Sequence, residues 1–147
     1  MLTSPPNFQK PPPGTPVFVT MPVRDLPRAQ RFYYTVFGWR YLAHPSDPER
    51  VIYFTPGSIM GSLVLVKDSS NTTQSIATLK EDIERGVTRT GPCEYVLVED
   101  VEETVKKIME AGGMMERERF VVGDHTEMAF YRDTEGNVGG VLKWLMP

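Results

Sequence analysis

One segment of this chain occurs twice, and that repetition limits the fold more than any single residue does. Residues 17–38 read VFVTMPVRDLPRAQRFYYTVFG, and residues 92–112 read PCEYVLVEDVEETVKKIMEAG. In each copy a β-rich run ends in Val-x-Asp, an amphipathic stretch follows, and a glycine closes it. Asp25 and Asp100 hold equivalent places, 75 positions apart. A chain with two copies of one supersecondary unit builds its architecture from that unit twice over.

Each copy reads the same way physically. Val17–Val23 and Tyr95–Val98 are strand-like, and Asp25 and Asp100 are placed to cap the helices that follow. A carboxylate there accepts from the unsatisfied first-turn amides and complements the helix dipole. Glu103 stands where a capping-box partner would. Leu26, Ala29, Phe32, Tyr33, Val36 and Phe37 recur at steps of three and four, as do Val101, Thr104, Val105, Ile108 and Met109. Each helix therefore shows one apolar face to a sheet. Gly38 and Gly112 follow the last periodic positions, where a left-handed residue ends a helix.

Further strand-like runs come after each helix: Trp39–Ala43, Val51–Thr55 and Ser62–Lys67 in the first half, then Met114–Phe120, Glu127–Arg132 and Gly140–Leu145 in the second. HPSDPER, PGSIMG, VVGDHT and DTEGN separate them as turns. Each half is thus β-α-β-β-β, and the fold class is α+β with two tandem modules, at about 15–67 and 92–146. The polar stretch at about 68–91 reads as a connector with one short helix at Ile76–Glu84. Five of the thirteen prolines lie before Gly14, so residues 1–14 read as an extended, flexible arm.

Composition removes several function classes. With 147 residues the chain has room for one ordinary domain. Sixteen Lys and Arg against nineteen Asp and Glu give a net charge of −3, which is no footprint for nucleic acid. A single cysteine, Cys93, rules out an internal disulfide and CxxC knuckles, and points to a reducing, cytoplasmic setting. No run approaches the roughly 20 apolar residues that span a bilayer, and no secretory leader pattern is read at the start.

The segments RAQRFYYTVFGW, VEDVEETVKKIMEAGG and AFYRDTEGNVGGVLKW give the chain a closer likeness. It resembles the glyoxalase, bleomycin-resistance and extradiol-dioxygenase superfamily, also called vicinal oxygen chelate, over about residues 15–146. Thr134 stands where that family's DPEGN-like turn has proline. The resemblance implies two β-α-β-β-β modules curving a mixed sheet around a central cavity, a small-molecule ligand, and commonly a homodimer. It also implies metal-ligand positions on the first and last strands of each module. Those positions fall here on Phe18, on the strand GSLVLV, on Cys93 and on Gly140. Phe and Gly carry no donor, and a lone thiol is not a site when catalytic metals typically take about three protein ligands. The expectation is a site with no metal and no cofactor; a non-standard set of His44, His125 and Glu127 is the alternative.

Strand alternation then projects Phe18, Thr20, Cys93, Tyr95, Leu97, Met128 and Phe130 inward, with Gly140 beside them. Phe18, Thr20, Cys93, Tyr95, Met128, Phe130 and Gly140 are the expected substrate-binding residues, lining a mostly apolar pocket. No Lys or Arg projects inward on this count, and Arg132 sits at the rim. Tyr95 and His44 are the candidate acid–base groups, Tyr95 for its phenol and His44 for its place in a loop. Each also has a plain structural reading, Tyr95 as core and His44 as part of a turn, and packing is the expected role of Trp39 and Trp144. Three functions fit: a metal-independent lyase or isomerase acting on a small apolar or aromatic molecule, a sequestering protein that binds without turnover, and a metal enzyme with unusual ligands.

Overall fold

The computed structural model describes residues 12–57, 59–66 and 93–145. The connector helix expected at 76–84 and most of the proline-rich arm lie outside them. Two compact units divide the chain, Met1–Ser69 and Ser70–Pro147. No described helix is long and apolar enough to cross a membrane.

The first unit runs β1 (Phe18–Val23), α1 (Leu26–Phe37), β2 (Arg40–Ala43), β3 (Arg50–Phe54) and β4 (Met60–Leu65). Its four strands form one mixed sheet in the order β1-β4-β3-β2, with β1 parallel to β4 and the other pairs antiparallel. Asp25 caps α1 by accepting from the Arg28 amide at 2.9 Å. Gly38 closes the helix at φ 71°, a conformation that costs glycine nothing. Ala29, Phe32, Tyr33 and Val36 bury the apolar face of α1.

An aromatic stack fills the space below that helix. Trp39 is 2% exposed, with Tyr33 at 4.5 Å on one side and Tyr53 at 4.4 Å on the other, all three rings nearly parallel. The Tyr53 ring lies over Gly61, where an added Cβ would fall 2.5 Å from the ring. Tyr41 donates to the Gln30 carbonyl at 3.0 Å, tying β2 to α1.

The second unit runs β5 (Tyr95–Leu97), α2 (Val101–Glu110), β6 (Met114–Val122), β7 (Thr126–Arg132) and β8 (Val138–Trp144). The order β5-β8-β7-β6 repeats the first sheet, again with one parallel pair. Asp100 accepts from the Glu103 amide at 3.0 Å, while the Glu103 carboxylate pairs with Lys106. Val101, Thr104 and Ile108 turn inward from α2, and Ala129, Tyr131 and Val141 form the buried face of the sheet. Tyr131 covers Gly139 as Tyr53 covers Gly61.

The RDTEGN turn is built on Asp133, which accepts from the Glu135 and Asn137 amides at 2.8 Å each. The expected packing role holds for Trp39, but Trp144 is 61% exposed: it falls on the sheet face opposite α2.

Candidate binding faces of the two sheets

Each helix covers one side of its sheet, and the residues of interest alternate onto the other. In the second unit the register sets Tyr95, Gly140 and Phe130 side by side across β5, β8 and β7. The Tyr95 ring lies directly on Gly140: an added Cβ there would sit 2.6 Å from Tyr95 Cδ1 and 3.4 Å from Phe130 Cε1. Tyr95 meets Phe130 edge-on at 5.8 Å, and Phe130 stacks with Phe120 at 5.9 Å. The Arg117 guanidinium carbon lies 3.6 Å from the centre of the Phe120 ring. An aromatic strip thus crosses the whole sheet and ends in a cation–π contact. Its outer end is open, with Tyr95 51% and Leu97 57% exposed. Met128, paired with Leu142 and Phe120, adds a polarizable apolar side chain.

The corresponding face of the first unit differs in chemistry. Thr20 stands five residues before its capping Asp, as Tyr95 does, so Thr20 and its strand partner Ser62 are the counterparts of Tyr95 and Gly140. Ser62 is fully buried, with its hydroxyl 3.5 Å from that of Thr20. Arg50 Nη1 donates to Ser62 Oγ at 3.3 Å, and Arg50 Nε lies 3.7 Å from Asp47 Oδ2. Phe18, half-exposed, lies on this face beside Met60.

The candidates thus fall in several places. Phe18 and Thr20 lie on the open face of the first unit, and Tyr95, Met128, Phe130 and Gly140 on that of the second. Cys93 precedes β5 rather than lying within a strand, with its thiol 3.7 Å from the Glu94 carbonyl oxygen. His44 sits in the turn after β2, where its Nδ1 accepts from the Ser46 amide at 3.3 Å and the Asp47 amide at 3.0 Å. His125 Nδ1 shares a 2.7 Å hydrogen bond with Thr126 Oγ1, and Glu127 accepts from Arg119 at 2.7 Å.

Two inward projections change. Arg132 is no rim cation: it is 5% exposed, paired with Glu116 at 3.6 Å, and donates to the Gly136 carbonyl. Arg50, in contrast, does reach an open face. β3 begins at Arg50, one residue earlier than its apolar run suggests, and alternation from that start puts Arg50 beside Ser62. Phe120 and Arg117 also escape a count by alternation, because register shifts interrupt β6 on both sides of Arg117.

Two β-α-β-β-β modules, each a four-stranded mixed sheet backed by a helix, define a glyoxalase-type fold. The chain belongs to the Glyoxalase/Bleomycin resistance protein/Dioxygenase superfamily, whose family model matches residues 15–138. It is 27% identical over 128 residues to CFP32 of Mycobacterium tuberculosis, a protein named as a glyoxylase. That alignment takes in 87% of this chain and 45% of CFP32, so the chain spans about half the length of that relative. A glyoxylase-like domain-containing protein of Didymella fabae is 24% identical over 84% of this chain and 88% of its own. Among solved structures, a glyoxalase-related enzyme from Fulvimarina pelagi superposes with a TM-score of 0.60 at 20% identity, covering 88% of both chains.

The divalent metal implied by the superfamily resemblance does not fit the residues at its positions. Phe18 offers no donor atom, and Gly140 is roofed by the Tyr95 ring. The Ser62 hydroxyl is neutral and accepts from a guanidinium, whose charge opposes a second cation nearby. Among the described residues no three His, Cys, Asp or Glu side chains come together as a metal-holding group.

Proposed function

We propose that the protein binds and converts a small, largely apolar or aromatic organic molecule without a divalent metal. One observation carries this reading: Tyr95, Phe130 and Phe120 form a continuous aromatic strip whose outer ring is half-exposed and takes the place of a ligand side chain at position 140. Such a surface favours a flat apolar body, which stacks on the rings and displaces water from Leu97 and Met128. Conversion is of the isomerase or lyase type, with the Tyr95 phenol giving a proton to the oxygen of a bound carbonyl while a water molecule takes the proton from the adjacent carbon, leaving the enol. His44, the other acid–base candidate, has only Nε2 to offer, since Nδ1 is held by two amides.

The test is calorimetric titration of 2-naphthamide into the full chain and into Phe130→Ala. Truncation should weaken binding about fivefold or more through loss of ring contacts worth roughly 1 kcal/mol. Equal affinity for the two proteins removes the aromatic strip as the binding surface. Once a convertible compound is found, Tyr95→Phe should keep binding and lose about a hundredfold or more in turnover. Unchanged turnover would leave Tyr95 as a stacking residue; absence of any turnover substrate supports the reading of a sequestering protein, as in bleomycin resistance. Pairing of two copies and a cytoplasmic setting belong to the same proposal, the first checked by light scattering.

A further inference from the structure

We infer that Arg117 holds the carboxylate of an aromatic acid lying along the strip, so that the ligand proposed above is anionic at the end remote from Tyr95. The inference rests on that reading and narrows its class of molecule. Strand pairing sets Tyr95, Gly140, Phe130 and Arg117 in one row across β5, β8, β7 and β6. Adjacent strands lie roughly 4.8 Å apart, so the backbones at the two ends of the row are about 14 Å from each other. A phenol stands at one edge of the sheet and a guanidinium at the other, with aromatic rings between them. The row suits a molecule of a few fused or linked rings, and it lies wholly within the second unit.

Arg117 does not join this row by ordinary alternation. It stands three residues before Phe120, and a regular strand would point the two to opposite faces. The register shifts in β6 pair Arg117 with Phe130 and Phe120 with Met128, which share a face of β7, and so bring both side chains to the strip. The guanidinium carbon then lies 3.6 Å from the centre of the Phe120 ring. The ring supports the guanidinium and shields one side of it from water, but it offers no acceptor oxygen, so the N–H fork remains for a carboxylate. Neighbouring charges on β6 are committed elsewhere: Glu116 pairs with the buried Arg132 at 3.6 Å, and Arg119 with Glu127 at 2.7 Å and Glu102 at 3.9 Å. Among the described residues no carboxylate forms an ion pair with Arg117, which is exposed. A cation resting on one ring of an aromatic strip matches an aromatic acid, whose rings stack while its carboxylate meets the fork.

The probe is 2-naphthoate, set against its neutral near-isostere 2-naphthamide in calorimetric titrations of the full chain. The wild-type protein should bind naphthoate about fivefold more tightly, a modest preference because Arg117 is exposed, and Arg117→Gln should abolish it while leaving naphthamide within about twofold. Arg119→Gln removes a nearby cation that already has its carboxylates, and should leave the preference intact. Arg117→Lys, which keeps the charge and loses the fork, should fall between wild type and Arg117→Gln, and raising salt from about 50 to 500 mM should weaken naphthoate alone. These last two readouts carry the test if Arg117→Gln fails to fold. Equal affinity of the wild-type protein for both probes, an equal loss of both in Arg117→Gln, or the same loss of preference in Arg119→Gln overturns the inference. Any of these together with weaker naphthamide binding in Phe130→Ala leaves the aromatic strip in place and removes only Arg117 from it. Indifference of both probes to Phe130→Ala removes the strip, and this inference with it.

Discussion

Gly139 and Gly140 are neighbours on β8, yet the same substitution should have unequal consequences at the two positions. At 139 an added methyl falls 2.5 Å from Tyr131 Cζ and 2.8 Å from Cε1, and Tyr131 is 2% exposed beneath α2. That ring has nowhere to go, so Gly139→Ala carries an overpacking cost of about 1–3 kcal/mol or more. At 140 the methyl falls 2.6 Å from Tyr95 Cδ1, but Tyr95 is 51% exposed and can swing outward, giving up a ring pair worth about 0.5–1.5 kcal/mol. Removing glycine from a strand returns roughly 0.5–1 kcal/mol at either site. Net losses are therefore about 1 kcal/mol at 139 and near zero at 140. For a chain of 147 residues the first corresponds to a melting point lower by roughly 2–4 °C. Urea unfolding followed by circular dichroism measures both variants, and Tyr95→Ala with Gly140→Ala should cost no more than Tyr95→Ala alone. Equal destabilisation at the two glycines, or Gly139→Ala within about 0.5 kcal/mol of wild type, would refute the reasoning.

Trp39→Ala removes the middle ring of the Tyr33–Trp39–Tyr53 stack, buried to 2%, and should cost about 3–5 kcal/mol by denaturant titration. Glu116→Ala takes the carboxylate from the buried Arg132 guanidinium and should cost a similar amount, whereas Glu116→Met with Arg132→Met should recover most of it. Burial raises the Tyr41 phenol well above its ordinary value near 10, so the folded chain keeps that proton after the unfolded chain has lost it. Its contribution is present in full below pH of about 10 and is lost as pH rises beyond, and Tyr41→Phe should flatten that alkaline fall in melting temperature.

Much of the fold was legible because its signals are local. Asp25, Asp100 and Gly38 announce helix ends through backbone hydrogen bonds that depend on a few adjacent residues. The repeat then supplies the topology, since two equal units call for two equal sheets. The open faces were less legible, and the reason is the period of two. The apolar run places the start of β3 at Val51, and leaving out that single position hides a strand cation, Arg50, on an open face. Cys93 was placed on a strand that begins two residues later, at Tyr95. The irregular register around Arg117 is a three-dimensional property of β6 and β7, and no spacing in MERERF signals it. Trp144 was expected to pack like Trp39, yet burial depends on which face of a strand the helix covers, and that follows from register.

The rings over Gly61 and Gly139 also bear on how such a chain can change over time. In each unit a tyrosine occupies the space that the facing glycine leaves, at Tyr53 with Gly61 and at Tyr131 with Gly139. Neither partner can be exchanged alone without a clash or a void, so a viable route to another pair needs two coordinated substitutions. The open-face counterparts, Thr20 with Ser62 and Tyr95 with Gly140, are under no such mutual hold and have already parted in chemistry. Under the helices the duplication is locked, while on the open sides drift is cheap, and new ligand preferences can arise there one substitution at a time.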